Sequence, residues 1–396
     1  MKCIQIHNDY LVPGGETTSA KLIAKELENN GVEVIRYYKN NREISNKKNI
    51  FSKIKYGLKS VYNLSTIVEV EEILKKNDID FAIVHNTSPL ISNSIYYILS
   101  KYNIPILKYV QNYNLLCMNG SKNLNANICN KCIKSSSMIG VKNKCYKESY
   151  IYTILKLINK KVFEKYFKNN ITKYVAISHF VKEEHLKYGL NKDKFEVLYH
   201  FINNISSDTS FNPKVKYFLY MGRLSEEKGV NILLETFKDH QDKKLFIIGE
   251  GPMKDEVEGF IAKNNCSNIE YLGFKNGIEK ENLVKNALCL VIPSDWDEPF
   301  GRIVIESYGL GTPVIASDRG GLGELVDEGI TGYKFNSKNK AGFSSKITKI
   351  WNVNSEDYLK MRSNCIRKSN KEFSREVYIG KLKNLIDTCK EGKEYL

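Results

Sequence analysis

Two glutamates eight residues apart are the side chains of this 396-residue chain best suited to binding hydroxyl groups. Glu298 lies in a loop after the predicted strand Leu288–Pro293, and Glu306 lies about one and a half turns into a helix that begins near Gly301. A carboxylate accepts hydrogen bonds from paired hydroxyls, which sugars and riboses offer. The alternative for Glu306 is an exposed helix charge, but its neighbours Ile303–Ile305 make that stretch largely apolar. We therefore predict that both glutamates bind a polyhydroxyl ligand.

Two cations stand at the end of another predicted strand. Arg223 and Lys228 follow the strand Tyr217–Gly222 and precede a helix. The N–H groups and the dipole at a helix start favour an anion. A guanidinium binds phosphate through two N–H groups, and a lysine adds a point charge. We predict a phosphate site here, with a solvated surface turn as the alternative.

Glycines follow two further predicted strands. Gly249 and Gly251 would let the backbone approach a ligand, or would simply form a tight turn. In the segment Pro13–Glu16, Gly14 and Gly15 stand between the first strand and a helix. Their N–H groups could meet a diphosphate, with a plain strand-to-helix turn as the alternative.

Four of the nine cysteines are spaced as C-x11-C-x2-C-x12-C within a polar insertion, residues 117–145. This spacing suits tetrahedral zinc, and unliganded thiols or disulfides are the alternatives. An odd number of cysteines in a large chain fits reduced thiols better than a disulfide framework. The predicted ligands of a structural zinc ion are Cys117, Cys129, Cys132 and Cys145.

The net charge of +15 lies almost entirely in the first half of the chain. Residues 1–200 hold 31 Lys and Arg against 17 Asp and Glu, or +14, whereas residues 201–396 hold 29 against 28, or +1. Within the basic half, Tyr150–Lys168 is predicted to form an amphipathic helix with flanking lysines. Core packing and contact with an anionic membrane surface are both compatible with this pattern. Its apolar stripe consists of Ile151, Ile154, Leu155, Ile158, Val162 and Phe163.

The chain alternates strand-like apolar runs with helical periodicity, which is typical of parallel sheets covered by helices. We predict an α/β protein with two doubly wound Rossmann-like domains, residues 1–205 and 206–396, that face each other across a cleft. A C-terminal helix, Phe373–Lys390, would cross back to the first domain. No transmembrane span, signal peptide or nucleic-acid-binding motif is found, so we expect a cytoplasmic protein without a nucleic-acid partner. The predicted strands are Lys2–His7, Val32–Tyr37, Phe81–His85, Ile106–Gln111, Tyr174–Ser178, Phe195–Tyr199, Tyr217–Gly222, Lys244–Gly249, Ile269–Gly273, Leu288–Pro293 and Pro313–Ser317.

The motifs of residues 217–335 occur in a characteristic order. Gly222–Gly229, Gly249–Pro252, Glu298–Glu306 and Gly311–Ala316 together resemble the donor-binding half of retaining glycosyltransferases of family 4, which have the GT-B fold. The loop Pro13–Glu16 resembles the Gly-Gly-Glu loop of the same family.

This resemblance implies a role for each residue of the motifs. Arg223 and Lys228 would hold the diphosphate of a nucleotide-sugar, Glu298 the hydroxyls of the donor sugar, and Glu306 the ribose. Metal is generally not needed in this fold, because basic residues and a helix end neutralise the diphosphate. The nucleotide-sugar would be a co-substrate, and no catalytic cofactor is implied. The full predicted donor-binding set is Gly14, Gly15, Arg223, Lys228, Glu250, Glu298, Phe300, Gly301 and Glu306.

The segment Tyr109–Cys117 resembles a family segment that usually begins His-Asn-Tyr, but Gln111 stands at the position of the histidine. Glutamine does not take a proton, although it hydrogen-bonds sugar hydroxyls. The retaining route proposed for the family, in which the departing phosphate oxygen accepts the proton, survives this substitution. Gln111 is therefore a candidate catalytic residue with Glu298, Arg223 and Lys228. His85, at another strand end, would bind hydroxyls, shuttle a proton or make a structural hydrogen bond.

We expect a metal-independent retaining glycosyltransferase. It would move a sugar from a nucleotide-diphosphate donor, a UDP-sugar, to a hydroxyl of a surface-glycan or lipid-linked acceptor at the inner face of the cell membrane. The alternative is a catalytically silent nucleotide-sugar-binding subunit of a glycan-biosynthesis complex.

Overall fold

The computed structural model describes residues 1–11, 14–45, 57–124, 127–211 and 213–391, so Pro13 of the predicted glycine loop lies outside the described residues. Contacts divide the chain into two units. The first comprises Met1–Leu124, Cys129–Leu198 and the residues from Ile379 on, and the second is mainly Tyr199–Tyr378. The boundary predicted between residues 205 and 206 differs, because it assigns the residues from Ile379 on to the second domain.

The first unit contains a parallel six-stranded sheet in the order β2-β1-β3-β4-β7-β8. The central strands β3 and β4 are buried at every residue, because helices cover both faces of a parallel sheet. Two further strands, β5 and β6, pair only with each other. The strands are β1 (Lys2–Asp9), β2 (Glu33–Asn40), β3 (Phe81–Val84), β4 (Ile106–Val110), β5 (Asn123–Leu124), β6 (Asn127–Ile128), β7 (Lys173–Ala176) and β8 (Phe195–Val197).

Three helices of the first unit begin with a side-chain cap. The side chains of Asn63, Ser149 and Ser178 each accept a hydrogen bond from a backbone N–H of the first turn. The α-helices are α1 (Gly15–Asn29), α2 (Arg42–Ser45), α3 (Leu64–Lys76), α4 (Ser94–Lys101), α5 (Lys131–Lys134), α6 (Met138–Lys142), α7 (Tyr150–Asn169) and α8 (His179–Leu186).

The second unit contains a second parallel six-stranded sheet, in the order β11-β10-β9-β12-β13-β14. Its strands are β9 (Tyr217–Met221), β10 (Lys244–Ile248), β11 (Ile269–Tyr271), β12 (Cys289–Ile292), β13 (Val314–Ser317) and β14 (Gly332–Phe335). Its α-helices are α9 (Val230–Lys238), α10 (Lys254–Lys263), α11 (Gly277–Lys285), α12 (Arg302–Gly309), α13 (Gly320–Leu325), α14 (Lys340–Trp351) and α15 (Ser355–Lys368). A last helix, α16 (Arg375–Glu391), begins in this unit and continues into the first.

The strand order determines where each unit can bind a ligand. In open α/β sheets, ligands bind beyond the carboxyl ends of the strands at the point where the strand order reverses. In the second unit this point lies between β9 and β12, and in the first unit it lies between β1 and β3. The predicted phosphate and hydroxyl motifs follow β9 and β12, and the predicted glycine loop follows β1.

The structure contains all eleven predicted strands, most of them one or two residues shorter at the carboxyl end. Both sheets are parallel and covered by helices, which confirms the predicted two-domain α/β class. Three described strands are not among the predicted ones: β5 and β6 have two residues each, and β14 begins with a glycine, a residue that is depleted in strands. Among the described helices, none is long and apolar enough to cross a lipid bilayer.

Candidate active site

The loops after β9 and β12 lie side by side at the switch point of the second unit. The Asp295 N–H donates to the Glu227 carbonyl oxygen at 2.9 Å. Gly229 has a positive φ of 73°, and a Cβ there would collide with the Pro293 carbonyl oxygen. Glycine is therefore required for the two loops to approach, and their approach places Lys228 beside the loop that carries Glu298.

Lys228 and Glu298 form an ion pair. The Lys228 Nζ lies 2.8 Å from the Glu298 Oε1, and the side chains are 25% and 11% exposed. The Ser294 hydroxyl donates to the same Oε1, and the Lys228 Nζ lies 5.2 Å from the centre of the Trp296 ring. Two predicted site residues 70 positions apart are thus brought into direct contact.

Arg223 is the exposed cation of this loop. Its guanidinium makes no hydrogen bond or ion pair within the described part of the chain, while its carbonyl oxygen accepts from the Tyr220 hydroxyl at 2.9 Å. The backbone is therefore held in place, while the charge remains available for an anion.

The glycines after β10 serve the contact between two loops. A Cβ on Gly249 would collide with the Gly222 carbonyl oxygen, and a Cβ on Gly251 with the Leu224 carbonyl oxygen. The tight-turn interpretation thus accounts for both positions without a ligand. Glu250 is exposed between them and accepts a hydrogen bond from the Tyr271 hydroxyl at 3.2 Å.

Glu306 is half-buried in the second turn of α12 and is already paired. Its carboxylate lies 3.1 Å from the Lys280 Nζ and 3.8 Å from the Arg302 Nε. Its neighbours Val304 and Ile305 are fully buried, so α12 packs on its apolar side and leaves Glu306 at the edge.

Phe300 and Gly301 shape the loop before α12. The Phe300 ring is buried against Tyr199 and His200, with ring centroids 5.7 and 5.1 Å apart. Gly301 has a φ of 150°, and a Cβ there would press against Leu322. The Phe300 side chain therefore positions the loop from inside the unit.

The glycine-rich segment Arg319–Glu324 is mainly helical and packs against the loop that carries Glu298. Gly320–Leu325 is helical, and the Gly321 N–H donates to the Glu298 carbonyl oxygen at 2.7 Å. Arg319 contacts Asp295 at 2.5 Å and Asp297 at 3.6 Å. Both acidic partners precede Glu298 in the loop after β12, so Arg319 fixes this loop to the start of α13.

In the first unit, the glycine loop joins the strand β1 to the helix α1. Gly14 caps the helix, and no atom lies within 4 Å of a Cβ built there. Gly15 is the first helical residue. Glu16 accepts hydrogen bonds from the Tyr10 hydroxyl at 2.8 Å and from the Asn112 amide at 2.9 Å, which ties this loop to the segment after β4.

Gln111 ends a chain of buried hydrogen bonds. The Gln5 amide nitrogen donates to the Ala20 carbonyl oxygen, and its amide oxygen accepts from the Tyr38 hydroxyl, which fixes the orientation of the amide. The same nitrogen therefore donates to the His85 Nε2 at 3.0 Å. The proton of the His85 ring then lies on Nδ1, 3.1 Å from the Gln111 amide. The Gln111 Oε1 has no partner, and rotating the amide by a half-turn pairs it with this proton. His85 thus has both ring nitrogens engaged, which favours its structural interpretation.

The four cysteines of the insertion lie near one another. Burial, followed by the charge on Cys117, raises the pKa of Cys132, and burial with the other three thiols raises the pKa of Cys145 to about 11. Cys117 donates to the Asn119 side chain at 2.9 Å. Within the described ranges, no three His, Cys, Asp or Glu side chains are placed to hold a metal ion. Zinc at Cys117, Cys129, Cys132 and Cys145 therefore stays a prediction.

The helix α7 lies with much of its apolar stripe outward. Ile151, Ile154, Ile158 and Val162 are exposed by 41–70%, so core packing does not explain these four residues. On the other side, Thr153, Asn159, Lys160, Phe163 and Phe167 are buried. A mixed face with two phenylalanines, Asn159 and Lys160 is thus inside the unit, and four residues of the apolar stripe are outside.

Sequence comparison assigns both parts of the chain to one enzyme family. The family described as Glycosyltransferase Family 4 matches residues 13–204, and the family described as Glycosyl transferases group 1 matches residues 201–372. An uncharacterized glycosyltransferase of Methanocaldococcus jannaschii is 32% identical over 220 residues, which cover 55% of this chain and 59% of that protein. An uncharacterized 42.6 kDa protein in the cps region of Klebsiella pneumoniae is 28% identical over 334 residues, or 81% and 82% of the two chains.

Solved structures agree in fold. Anabaena HepE in complex with UDP has a TM-score of 0.68 at 14% identity, with 97% of this chain and 99% of that chain covered. Sucrose-phosphate synthase from Thermosynechococcus elongatus has a TM-score of 0.69 at 15% identity, with 97% and 98% covered. From the order of its motifs, its two parallel sheets and these matches, the chain belongs to glycosyltransferase family 4 and has the GT-B fold.

Proposed function

We propose that the protein is a retaining glycosyltransferase that transfers a sugar from a nucleotide-diphosphate donor, a UDP-sugar, to a hydroxyl of a surface-glycan or lipid-linked acceptor. The observation that carries this proposal is the Lys228–Glu298 ion pair at the switch point of the second unit, in the same loop region as the exposed Arg223. One cation and one carboxylate are held together where a ligand with a diphosphate and a sugar would need them.

In this proposal the second unit stabilises the leaving group. Negative charge develops on the diphosphate as its bond to the sugar breaks, and fixed cations placed near that charge lower the barrier. Arg223 and Lys228 supply these charges, which is why no metal ion is required. Glu298 and Glu306 accept hydrogen bonds from donor hydroxyls. The UDP named with the Anabaena neighbour supports uracil as the base.

Retention of configuration is compatible with the residue at position 111. A glutamine does not accept the proton of the attacking hydroxyl, and Gln111 is itself bonded to His85. The departing phosphate oxygen accepts that proton on the same face of the sugar. In this route Gln111 remains uncharged and orients the reacting groups through hydrogen bonds.

The exposed stripe of α7 supports attachment to an anionic membrane surface. Apolar side chains outside a helix with flanking lysines match the pattern of an interfacial helix. The test is flotation with liposomes that contain about one-third anionic lipid. Ile158→Glu, in the middle of the stripe, should abolish flotation, while Glu183→Gln on another helix should not. Equal flotation of both variants would remove this attachment site.

Gln111 also favours the second candidate, a silent binding subunit, because a common family residue is replaced. Incubation of the protein with a panel of nucleotide sugars separates the two. A transferase releases nucleotide slowly even without an acceptor, and this release should fall at least about 100-fold in Lys228→Met. Saturable binding of a nucleotide sugar without any release would establish the silent subunit instead.

A further inference from the structure

Three lysine side chains line one small cavity inside the first unit. Lys108 comes from β4, and Lys156 and Lys160 come from successive turns of α7. The cavity has a volume of about 40 Å³, which is room for roughly three water molecules or one oxyanion of similar size. Ser88, Asn93, Asn112 and Asn114 on its wall are half-exposed, so this side opens toward solvent.

None of these lysines forms an ion pair within the described residues, and the carboxylates that act on them from a distance are Glu16 on Lys108 and Glu164 on Lys160. Within the described residues, no carboxylate oxygen lies within 4 Å of any of the three ammonium groups. Lys108 donates to the His85 carbonyl oxygen, Lys156 to the Asn114 side chain at 3.1 Å, and Lys160 to the Ser137 hydroxyl at 3.3 Å. All of these acceptors are neutral. Each ammonium group has three N–H donors, so donors remain for a further acceptor.

Another buried lysine of the same unit does have a carboxylate partner. Lys122 is almost fully buried and forms an ion pair with Glu184. Leaving a charge inside a protein without a counter-charge is costly. Burial lowers the pKa of Lys108, Lys156 and Lys160 to about 8 in each case, and an anion in the cavity would offset this cost.

The rest of the wall suits an oxyanion. It carries amide and hydroxyl groups beside apolar side chains such as Leu115, Met118 and Phe167, and no acidic side chain. It lies just past the carboxyl ends of β3 and β4, the edge at which such sheets bind ligands. The surrounding segment is strongly basic, because residues 101–170 contain 13 lysines and only two acidic residues. The polar lining residues are Asn86, Thr87, Ser88, Asn93, Asn112, Asn114 and Asn159.

From this geometry we propose that the cavity binds a phosphate group of the acceptor, so that the first unit selects phosphorylated acceptors. This inference rests on the proposed function, because it assigns the acceptor to this unit. Lys108 joins the cavity to the predicted reaction edge, since its ammonium group holds the backbone of His85, whose ring contacts Gln111.

The test measures thermal unfolding of the full chain with inorganic phosphate or pyrophosphate, at constant ionic strength and with UDP present to saturate any donor site. We expect either anion at millimolar concentration to raise the unfolding temperature by a few degrees in the wild type. Lys156→Met and, separately, Lys160→Met should abolish the rise. Lys165→Met, an exposed lysine of the same helix, should preserve it.

Two further arms identify the source of the phosphate. Vesicles with phosphatidic acid should compete with free phosphate if a lipid headgroup fits, whereas phosphatidylcholine vesicles should not. An equal rise in the wild type and both methionine variants, or no rise at all, would overturn the proposal. The response to UDP in the absence of phosphate is measured on the same protein. Loss of that response alone would count against the proposed donor function and leave the phosphate cavity standing.

Discussion

Lys228 and Glu298 contact each other at 2.8 Å, although the motifs that contain them predict that they hold different parts of one donor. The pair keeps both side chains in place before a donor arrives. Preorganised charges of this kind stabilise a transition state without a further ordering cost.

The first prediction concerns this pair. Lys228→Met should lower kcat/KM at least about 100-fold and should lower the free energy of unfolding by about 1–3 kcal/mol, because among the described residues the Glu298 carboxylate then keeps only the Ser294 hydroxyl as a partner. Denaturant unfolding and steady-state kinetics measure the two effects. The double variant Lys228→Met with Glu298→Gln should recover most of the stability and none of the activity. Recovery of activity would contradict the roles assigned to the pair.

The second prediction concerns Glu306. Glu306→Gln should raise the KM for the nucleotide sugar about 10-fold and change kcat less, since a carboxylate bonded to a ribose contributes to donor binding. The matched control is Glu279→Gln, which removes an exposed glutamate from a similar lysine pair. If both variants keep the wild-type KM, Glu306 does not bind the donor.

The third prediction concerns Gln111. Gln111→Met removes the hydrogen bond to His85 and should lower kcat about 10-fold. Gln111→His adds a group with a pKa near 6.5, so its rate should gain a dependence on pH between about 6 and 7 that the wild type lacks. A loss of about 1,000-fold in Gln111→Met would instead place this residue in the chemical step.

The fourth prediction concerns pH and His185. Burial lowers the pKa of this histidine to about 4, its Nδ1 faces the Val181 carbonyl oxygen, and its Nε2 has no partner. The unfolded chain therefore binds a proton at higher pH than the folded chain. Stability is fully present above about pH 6.5 and is lost as the pH falls toward 4, by roughly 1–2 kcal/mol at pH 5.

Urea unfolding at pH 7 and pH 5 measures this loss. His185→Phe should reduce the difference between the two pH values, while His179→Gln, an exposed histidine of the same helix, should leave it unchanged. The assignment to His185 fails if the Phe variant keeps the full wild-type difference.

The fifth prediction concerns zinc at the cysteine cluster. Only thiolates bind zinc, so the metal would have to overcome the raised pKa of Cys132 and Cys145 by lowering it. We expect about one zinc per chain by mass spectrometry of the purified protein, and a loss of zinc in Cys132→Ser but not in Cys266→Ser. Substoichiometric zinc in the wild type would end this hypothesis.

The strands and the motifs could be predicted because their signals are local. Parallel strands such as Ile106–Val110 are buried on both faces and therefore appear as continuous apolar runs. Gly229 and Gly249 each mark a loop that closely approaches a neighbouring loop, and the spacing of both glycines from the strand ends is visible in the sequence.

The sequence by itself determined the fold class, the order of the two sheets along the chain and the residues that gather at the switch point. Only the tertiary structure decided that Lys228 contacts Glu298, that Gln111 closes a hydrogen-bond chain through His85, and that Lys160 lies inside while Ile158 lies outside. Helical periodicity states which residues share a face of α7, but not which face is covered. That depends on contacts with elements distant in sequence, and here polar acceptors and a cavity lie on the covered side.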